Sequence, residues 1–108
     1  MTTLTTLLKC VEVLRNEDDQ MPAQRISAFM YICQHDGATM RQVADAIGMD
    51  LSTANRNMAA LGKTHRTGKA GHDLIIKEHA AADPRRFTLH LSTKGKRVKE
   101  TLNSLMGN

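Results

Sequence analysis

The sequence contains a pair of short helical segments separated by a turn of about three residues, which few folds accommodate. Thr39-Met40-Arg41-Gln42 has the pattern of a capping box, in which a Thr caps a helix and a Gln three residues later reaches back to it. Gly48 suits the end of this helix, because glycine readily adopts the left-handed conformation of a tight turn. Asp50 suits the cap of the next helix. Two such helices predict a helix-turn-helix over residues 39–61.

A β-hairpin is predicted after the helix-turn-helix. Residues 74–79 have the composition of a strand, and residues 87–91 alternate between apolar and polar side chains. Asp83-Pro84 between them favours a turn, since Pro fixes a backbone angle that turns require. We therefore expect a wing over residues 74–91.

Amphipathic helices are predicted at both ends of the chain, over residues 1–16 and 93–106. A further helix is expected to start with Pro22 at its first position and to end at Asp36-Gly37. The apolar stripe of the first helix has helical spacing and consists of Leu4, Leu7, Leu8, Val11 and Leu14. The expected fold is mainly α with a small β-hairpin (α+β), a winged helix-turn-helix with extra N- and C-terminal helices.

Length and composition narrow the class of protein. With 108 residues, the chain is expected to form a single domain over residues 1–108. It has no apolar run long enough for a membrane span and no features of a secretory signal at its start, so we expect a cytoplasmic protein. Cys10 and Cys33 lack metal-binding or redox spacing and are expected to be reduced, buried thiols.

The charge distribution points to a polyanionic partner. Residues 1–20 carry a formal charge of −2 in a chain whose total is +4, which leaves +6 on the remaining residues. A basic body of this kind is typical of proteins that bind nucleic acid. The three aromatic residues cannot form a platform for stacking single-stranded bases, so duplex DNA is the expected partner.

Three motifs in this order resemble the MarR-type winged-helix transcription regulators. Residues 39–56 are similar to the family's T-x-x-x-L-A-x-x-L-G-x-S-x-S-T-V-S-R pattern. Asp83-Pro84-Arg85-Arg86 resembles its wing-tip D-P-x-D-x-R, and Leu91-Ser92-Thr93-Lys94-Gly95-Lys96 resembles its L-T-x-K-G. The resemblance covers roughly residues 22–106.

The resemblance implies a homodimer, held by the terminal helices, that binds pseudo-palindromic duplex DNA. It also implies a small-molecule effector pocket between the second helix and the dimerisation helices. The sequence departs from the family pattern in its short terminal helices, in a wing tip that lacks the second acidic residue, and in a long segment over residues 62–73.

The fourth helix is predicted to read the DNA bases. Leu51, Ala54, Met58 and Leu61 are expected to form its buried side, leaving polar residues outside. Arg56 suits a guanine, Asn55 or Asn57 suits an adenine, and the hydroxyls near the helix start suit a phosphate. The full set of predicted DNA contacts, including the segment after the helix and the wing, is Ser52, Thr53, Asn55, Arg56, Asn57, Lys63, Arg66, Arg85 and Arg86.

Each of these groups also has a simpler interpretation. The polar face of the fourth helix is equally typical of a solvated helix, and a charged hairpin tip also protects a sheet edge from aggregation. The basic residues of the last helix are either phosphate contacts or ordinary solvated side chains; they include Lys94, Lys96 and Arg97.

No enzyme activity, metal or cofactor is predicted. A hairpin allows His79 and His90 to face each other, but two imidazoles without a third ligand make a poor zinc site. The glycines and lysines of residues 62–69 lack the spacing of a phosphate-binding loop.

Two functions remain. The first is a homodimeric, sequence-specific regulator of transcription, most simply a repressor, that binds double-stranded DNA. The second is a winged-helix module that binds another protein and no DNA. The small polar and basic face of the fourth helix favours DNA, because a protein-docking face is richer in apolar and aromatic side chains.

Overall fold

The computed structural model describes residues 2–63, 71–80, 82–83 and 86–107. Within these ranges the chain forms five α-helices and three β-strands. They follow one another as α1 (Thr3–Glu17), α2 (Ala23–Gln34), β1 (Ala38–Thr39), α3 (Met40–Ile47), α4 (Leu51–Leu61), β2 (Ile75–His79), β3 (Phe87–Leu91) and α5 (Thr93–Leu105). This is the predicted α+β winged helix-turn-helix.

The helix-turn-helix forms through the caps that its sequence predicts. The Thr39 hydroxyl accepts the Gln42 backbone N–H at 3.1 Å, and the Gln42 side chain accepts the Thr39 N–H at 2.9 Å. Gly48 ends α3 in the left-handed region, with φ 79° and ψ 39°. Asp50 then caps α4 by accepting the Thr53 N–H at 2.7 Å. These local bonds fix where both helices start.

The wing belongs to a three-stranded antiparallel sheet of order β1-β3-β2. The strand β1 was not predicted. It pairs with β3, and Ala38 lies opposite Leu89 of that strand. In the hairpin itself His79 lies opposite Phe87, whereas His90 lies opposite Ile76. His79 and His90 therefore do not face each other across the hairpin. The sheet connects the wing directly to the start of α3.

One apolar core joins α1, the helix-turn-helix, the sheet and α5. Its members come from every helix and from all three strands. The largest fully buried side chains are Leu14, Phe29, Ile32, Val43, Met58, Leu61, Leu74, Ile75 and Leu89. The terminal helices α1 and α5 pack against each other. Their buried core residues are Cys10, Leu14, Val98 and Leu102. No helix in the described ranges is both long and apolar enough to cross a membrane.

Two predicted helix details were wrong. Pro22 is the N-cap of α2, not its first helical residue. Leu51 was placed on the buried side of α4, yet it is 43% exposed. Leu51 lies in the first turn of α4, beyond the part of the helix that packs on the core.

The chain returns to the end of α4 before it enters β2. The backbone N–H groups of residues 71–74 donate to carbonyl oxygens of residues 60–63, at 2.8–3.0 Å. From there Leu74 passes so close to α5 that a Cβ on Gly95 would overlap its carbonyl oxygen. The first turn of α5 therefore lies directly against the backbone that starts the wing.

Candidate nucleic-acid interface

The outer face of α4 is small, polar and basic. Ser52, Asn55 and Arg56 are exposed, and Thr53 is half-buried. The opposite side, including Ala54, Met58 and Leu61, is buried in the core. A helix supported on its apolar side and exposed on its polar side has the form of a recognition helix, whose N-terminal residues approach base edges.

Asn57 does not belong to this face, and its predicted outward orientation was wrong. It is 5% exposed. Its Oδ1 accepts the Arg25 Nε–H at 3.1 Å, and its Nδ2 donates to the Met49 Sδ at 3.6 Å. Asn57 follows Ala54 by three residues and precedes Leu61 by four, which is the spacing of the buried stripe itself. It therefore belongs to the support of α4.

The first turn of α4 is held by a set of local polar bonds. The Thr53 backbone N–H, which donates to Asp50, holds the pKa of the Asp50 carboxyl below its ordinary value of 3.8. The Arg56 Nη2 donates to the Thr53 hydroxyl at 3.4 Å. Arg56 is thus directed along the N-terminal half of α4, where a base edge would approach.

Arg86 lies at the loop end of the hairpin, immediately before β3. Its backbone N–H donates to the Asp83 carbonyl, and its carbonyl accepts the Ala80 N–H, both at 2.9 Å. Its side chain is exposed. The other predicted wing-tip residue, Arg85, lies outside the described residues together with Pro84.

A groove of about 400 Å³ places Arg86 beside the start of α3. Arg41, Gln42 and Asp45 of α3 line the same groove, together with Phe87 of β3. Arg41 is exposed and was not among the predicted contacts. Its position in the first turn of the first helix of a helix-turn-helix, the helix that crosses the DNA backbone, was the signal available in the sequence.

The other predicted cations fall into three groups. Lys63 is exposed just beyond the end of α4, whereas Arg66 lies outside the described residues. Lys94 is engaged within the protein, because its Nζ lies 2.7 Å from a Glu17 carboxylate oxygen and donates to the His72 carbonyl at 3.0 Å. Lys96 and Arg97 are exposed on α5.

The environments of both cysteines lie within the described residues. Cys10 is buried, Cys33 is half-buried, and neither forms a disulfide. Burial raises the pKa of the Cys33 thiol to about 11, with Lys99 acting in the opposite direction. In the ranges that the structure covers, no three His, Cys, Asp or Glu side chains are grouped to hold a metal ion.

Solved structures of transcription regulators resemble this chain over nearly its whole length. The MepR–DNA complex of S. aureus has a TM-score of 0.70 and 19% identity, and the match covers 98% of this chain and 84% of that one. A MarR transcriptional regulator from Methanosarcina mazei Go1 has a TM-score of 0.69 and 14% identity, over 93% of this chain and 65% of that one.

The transcriptional repressor CouR, bound to a 23-mer DNA duplex, has a TM-score of 0.68 and 16% identity, with 97% of this chain and 67% of that one covered. No protein-family model matches the sequence, and no curated protein does. The chain has the winged-helix fold of the MarR-type transcription regulators, as the sequence motifs indicated. The Methanosarcina mazei protein and CouR are described as regulators of transcription, and MepR and CouR are described in complex with DNA.

Proposed function

We propose that this protein is a MarR-type regulator of transcription that binds duplex DNA through the outer face of α4. The single observation that carries the proposal is the exposure of Ser52, Asn55 and Arg56 on a helix that is buried along its other side. Two proteins of the same fold, MepR and CouR, are described in complex with DNA. Arg56 is the proposed guanine contact and Asn55 the adenine contact, while Ser52 and Thr53 contact phosphate.

The wing and α3 extend this surface along the DNA backbone. Arg86 and Arg41 border one groove, and both are exposed. We assign Arg86, with Arg85 as its predicted neighbour at the wing tip, to the groove beside the one that α4 occupies, where it acts on the phosphates and not on the bases. Arg41 contacts a phosphate between the two, and Lys63 and Arg66 remain predicted contacts beyond the end of α4. Cations in these positions neutralise phosphates and make binding dependent on salt.

We further propose that the active species is a homodimer formed through α1. In the monomer, Leu4 is 76% exposed, Leu8 58% and Leu7 53%, and Met106 after α5 is 58% exposed. Leu4, Leu7 and Leu8 lie on one helix at spacings of three and four residues, so they form a continuous apolar surface. Such a surface on a small protein marks an interaction site. Two copies joined here present two α4 helices to two half-sites, and occupation of a promoter by this dimer acts as repression.

A titration against random-sequence duplex DNA at two salt concentrations tests DNA binding. We expect binding that weakens steeply as salt rises, and weaker binding by Arg56→Ala. Arg15→Ala is the matched control: it removes the same charge from α1, where Arg15 is paired with Glu12 at 2.8 Å. The proposal is wrong if the wild type does not bind duplex DNA in low salt, or if both variants weaken binding equally.

A second candidate function is docking to another protein. The apolar surface of α1 favours it, since the same side chains that suit a second copy also suit a foreign helix. Sedimentation of the purified protein separates the two. A dimer that binds DNA supports regulation, whereas a monomer that fails to bind DNA supports the docking module.

A further inference from the structure

One buried amide connects the recognition helix to two other parts of the protein. Asn57 accepts from Arg25 of α2 at 3.1 Å and donates to Met49 in the turn of the helix-turn-helix at 3.6 Å. Asn57 and Met49 are 5% and 8% exposed. Packing against the apolar core holds α4 in place but tolerates small rotations of the helix. The two hydrogen bonds of Asn57 have a fixed direction and therefore restrict such rotations.

Arg25 also has a carboxylate in its neighbourhood. It is half-buried, and burial lowers the pKa of its guanidinium while the nearby Asp18 carboxylate acts against this. A guanidinium stays charged under all ordinary conditions and donates in a fixed plane. Arg25 therefore donates to Asn57 from a half-buried, charged side chain.

We infer that Arg25 and Asn57 are positioning residues that set the rotation of α4 and thereby its choice of DNA sequence. This inference rests on the proposed function of α4. Asn57 directly follows Arg56 and Asn55, so any rotation of Asn57 about the helix axis moves those two exposed side chains by the same angle. Bidentate contacts to base edges depend on such geometry, whereas contacts to phosphates tolerate its loss.

The test compares four variants with the wild type: Asn57→Leu, Arg25→Lys, Arg25→Met and the double variant Arg25→Met/Asn57→Leu. Asn57→Leu removes the acceptor at similar volume, and Arg25→Lys keeps the cation near Asp18 but removes the Nε–H donor. Affinity is measured for the duplex that the wild type prefers and for a scrambled duplex of equal length at the same salt. Gln24→Met, an exposed neighbour on α2, is the control.

We expect Asn57→Leu and Arg25→Lys to lower the ratio of preferred to scrambled affinity about tenfold. The scrambled affinity and the salt dependence should stay unchanged. The double variant removes both polar partners, so it should recover the melting temperature while the ratio stays low. A ratio that is unchanged in folded variants, or that the double variant restores, overturns the inference because packing then explains the effect.

Amide hydrogen exchange without DNA separates this inference from the function on which it rests. We expect faster exchange along α4 in Asn57→Leu, with the exchange of α1 and α5 unchanged. Equal exchange in α4 overturns the positioning role whatever the DNA result. If the wild type binds all duplexes equally, the proposed function is refuted. The effect of Asn57 on sequence choice is then refuted as well, even if α4 exchanges faster in Asn57→Leu.

Discussion

Single residues decide where the elements of this protein meet. Gly95 is an example: it is buried in the first turn of α5, where a Cβ would overlap the Leu74 carbonyl oxygen. The contact also explains why α5 lies so close to the chain that enters the wing. A side chain at this position would move either the helix or the wing.

Gly95→Ala is predicted to destabilise the protein by about 1–3 kcal/mol, because a methyl group must be fitted against backbone that cannot rotate away. Gly62→Ala is the matched control, since its Cβ would lie 3.4 Å from the Met58 carbonyl oxygen, an ordinary contact. Its stability should change by less than about 1 kcal/mol. Urea unfolding of both variants checks this, and equal losses would contradict the explanation.

His72 makes stability depend on pH. Its Nε2 lies 3.4 Å from an Asp18 carboxylate oxygen. Burial lowers the pKa of the imidazole below its ordinary 6.5, Asp18 and Glu17 oppose this, and Arg25 and Lys94 add to it. The folded protein therefore binds fewer protons than the unfolded chain below that value. Its free energy of unfolding should fall as pH falls through the range below 6.5.

His72→Gln removes this titration, so it should lose less stability than the wild type between about pH 7 and about pH 5. His35→Gln, a change at an exposed histidine, serves as the control and should follow the wild type. Thermal melting across this pH range measures the effect. Parallel curves for the wild type and His72→Gln would show that His72 is protonated equally in both states.

The elements were predictable where local patterns determine them. The capping box at Thr39, the left-handed Gly48 and the Asp50 cap are local, and all three were predicted correctly. Asn57 was misplaced because its polarity was given more weight than its spacing from Ala54 and Leu61. The strand β1 was missed because two residues have no periodicity and it forms only by pairing with the distant β3.

At the level of elements, α4 and the wing should contribute differently to DNA binding. Arg86→Ala is expected to weaken binding equally for all duplexes and to reduce the salt slope by about one, as loss of a phosphate contact does. Titrations of preferred and scrambled duplexes over a range of salt measure both effects. A loss confined to the preferred duplex would instead assign Arg86 to base reading.

The protein is proposed to act as a homodimer. Leu4→Glu places a charge in the exposed apolar surface of α1, at its most exposed leucine. In analytical ultracentrifugation, we expect the variant to sediment as a folded monomer and the wild-type protein to sediment as a dimer. Lys9→Glu, also exposed on α1, is the control and should remain dimeric. A wild-type monomer at high concentration would refute the dimer.

In the sequence, only the apolar stripe on α1 and the family resemblance pointed to a dimer. Periodicity shows which side of a helix is apolar, but it does not show what covers that side. The structure resolves part of this: Leu14 and Cys10 meet the core, whereas Leu4, Leu7 and Leu8 do not. The sequence alone placed all the leucines of the stripe on one face of the helix.

The assignment of α4 as the helix that reads DNA is tested by selecting duplexes from a random-sequence pool with the wild-type protein. If the exposed face of α4 reads bases in a dimer, the enriched duplexes will share a pseudo-palindrome with half-sites about one helical turn apart. Arg56→Ala will then lose the preference at one position in each half-site. If the pool shows no enriched sequence, or if Arg56→Ala selects the same sequence as the wild type, α4 does not read DNA.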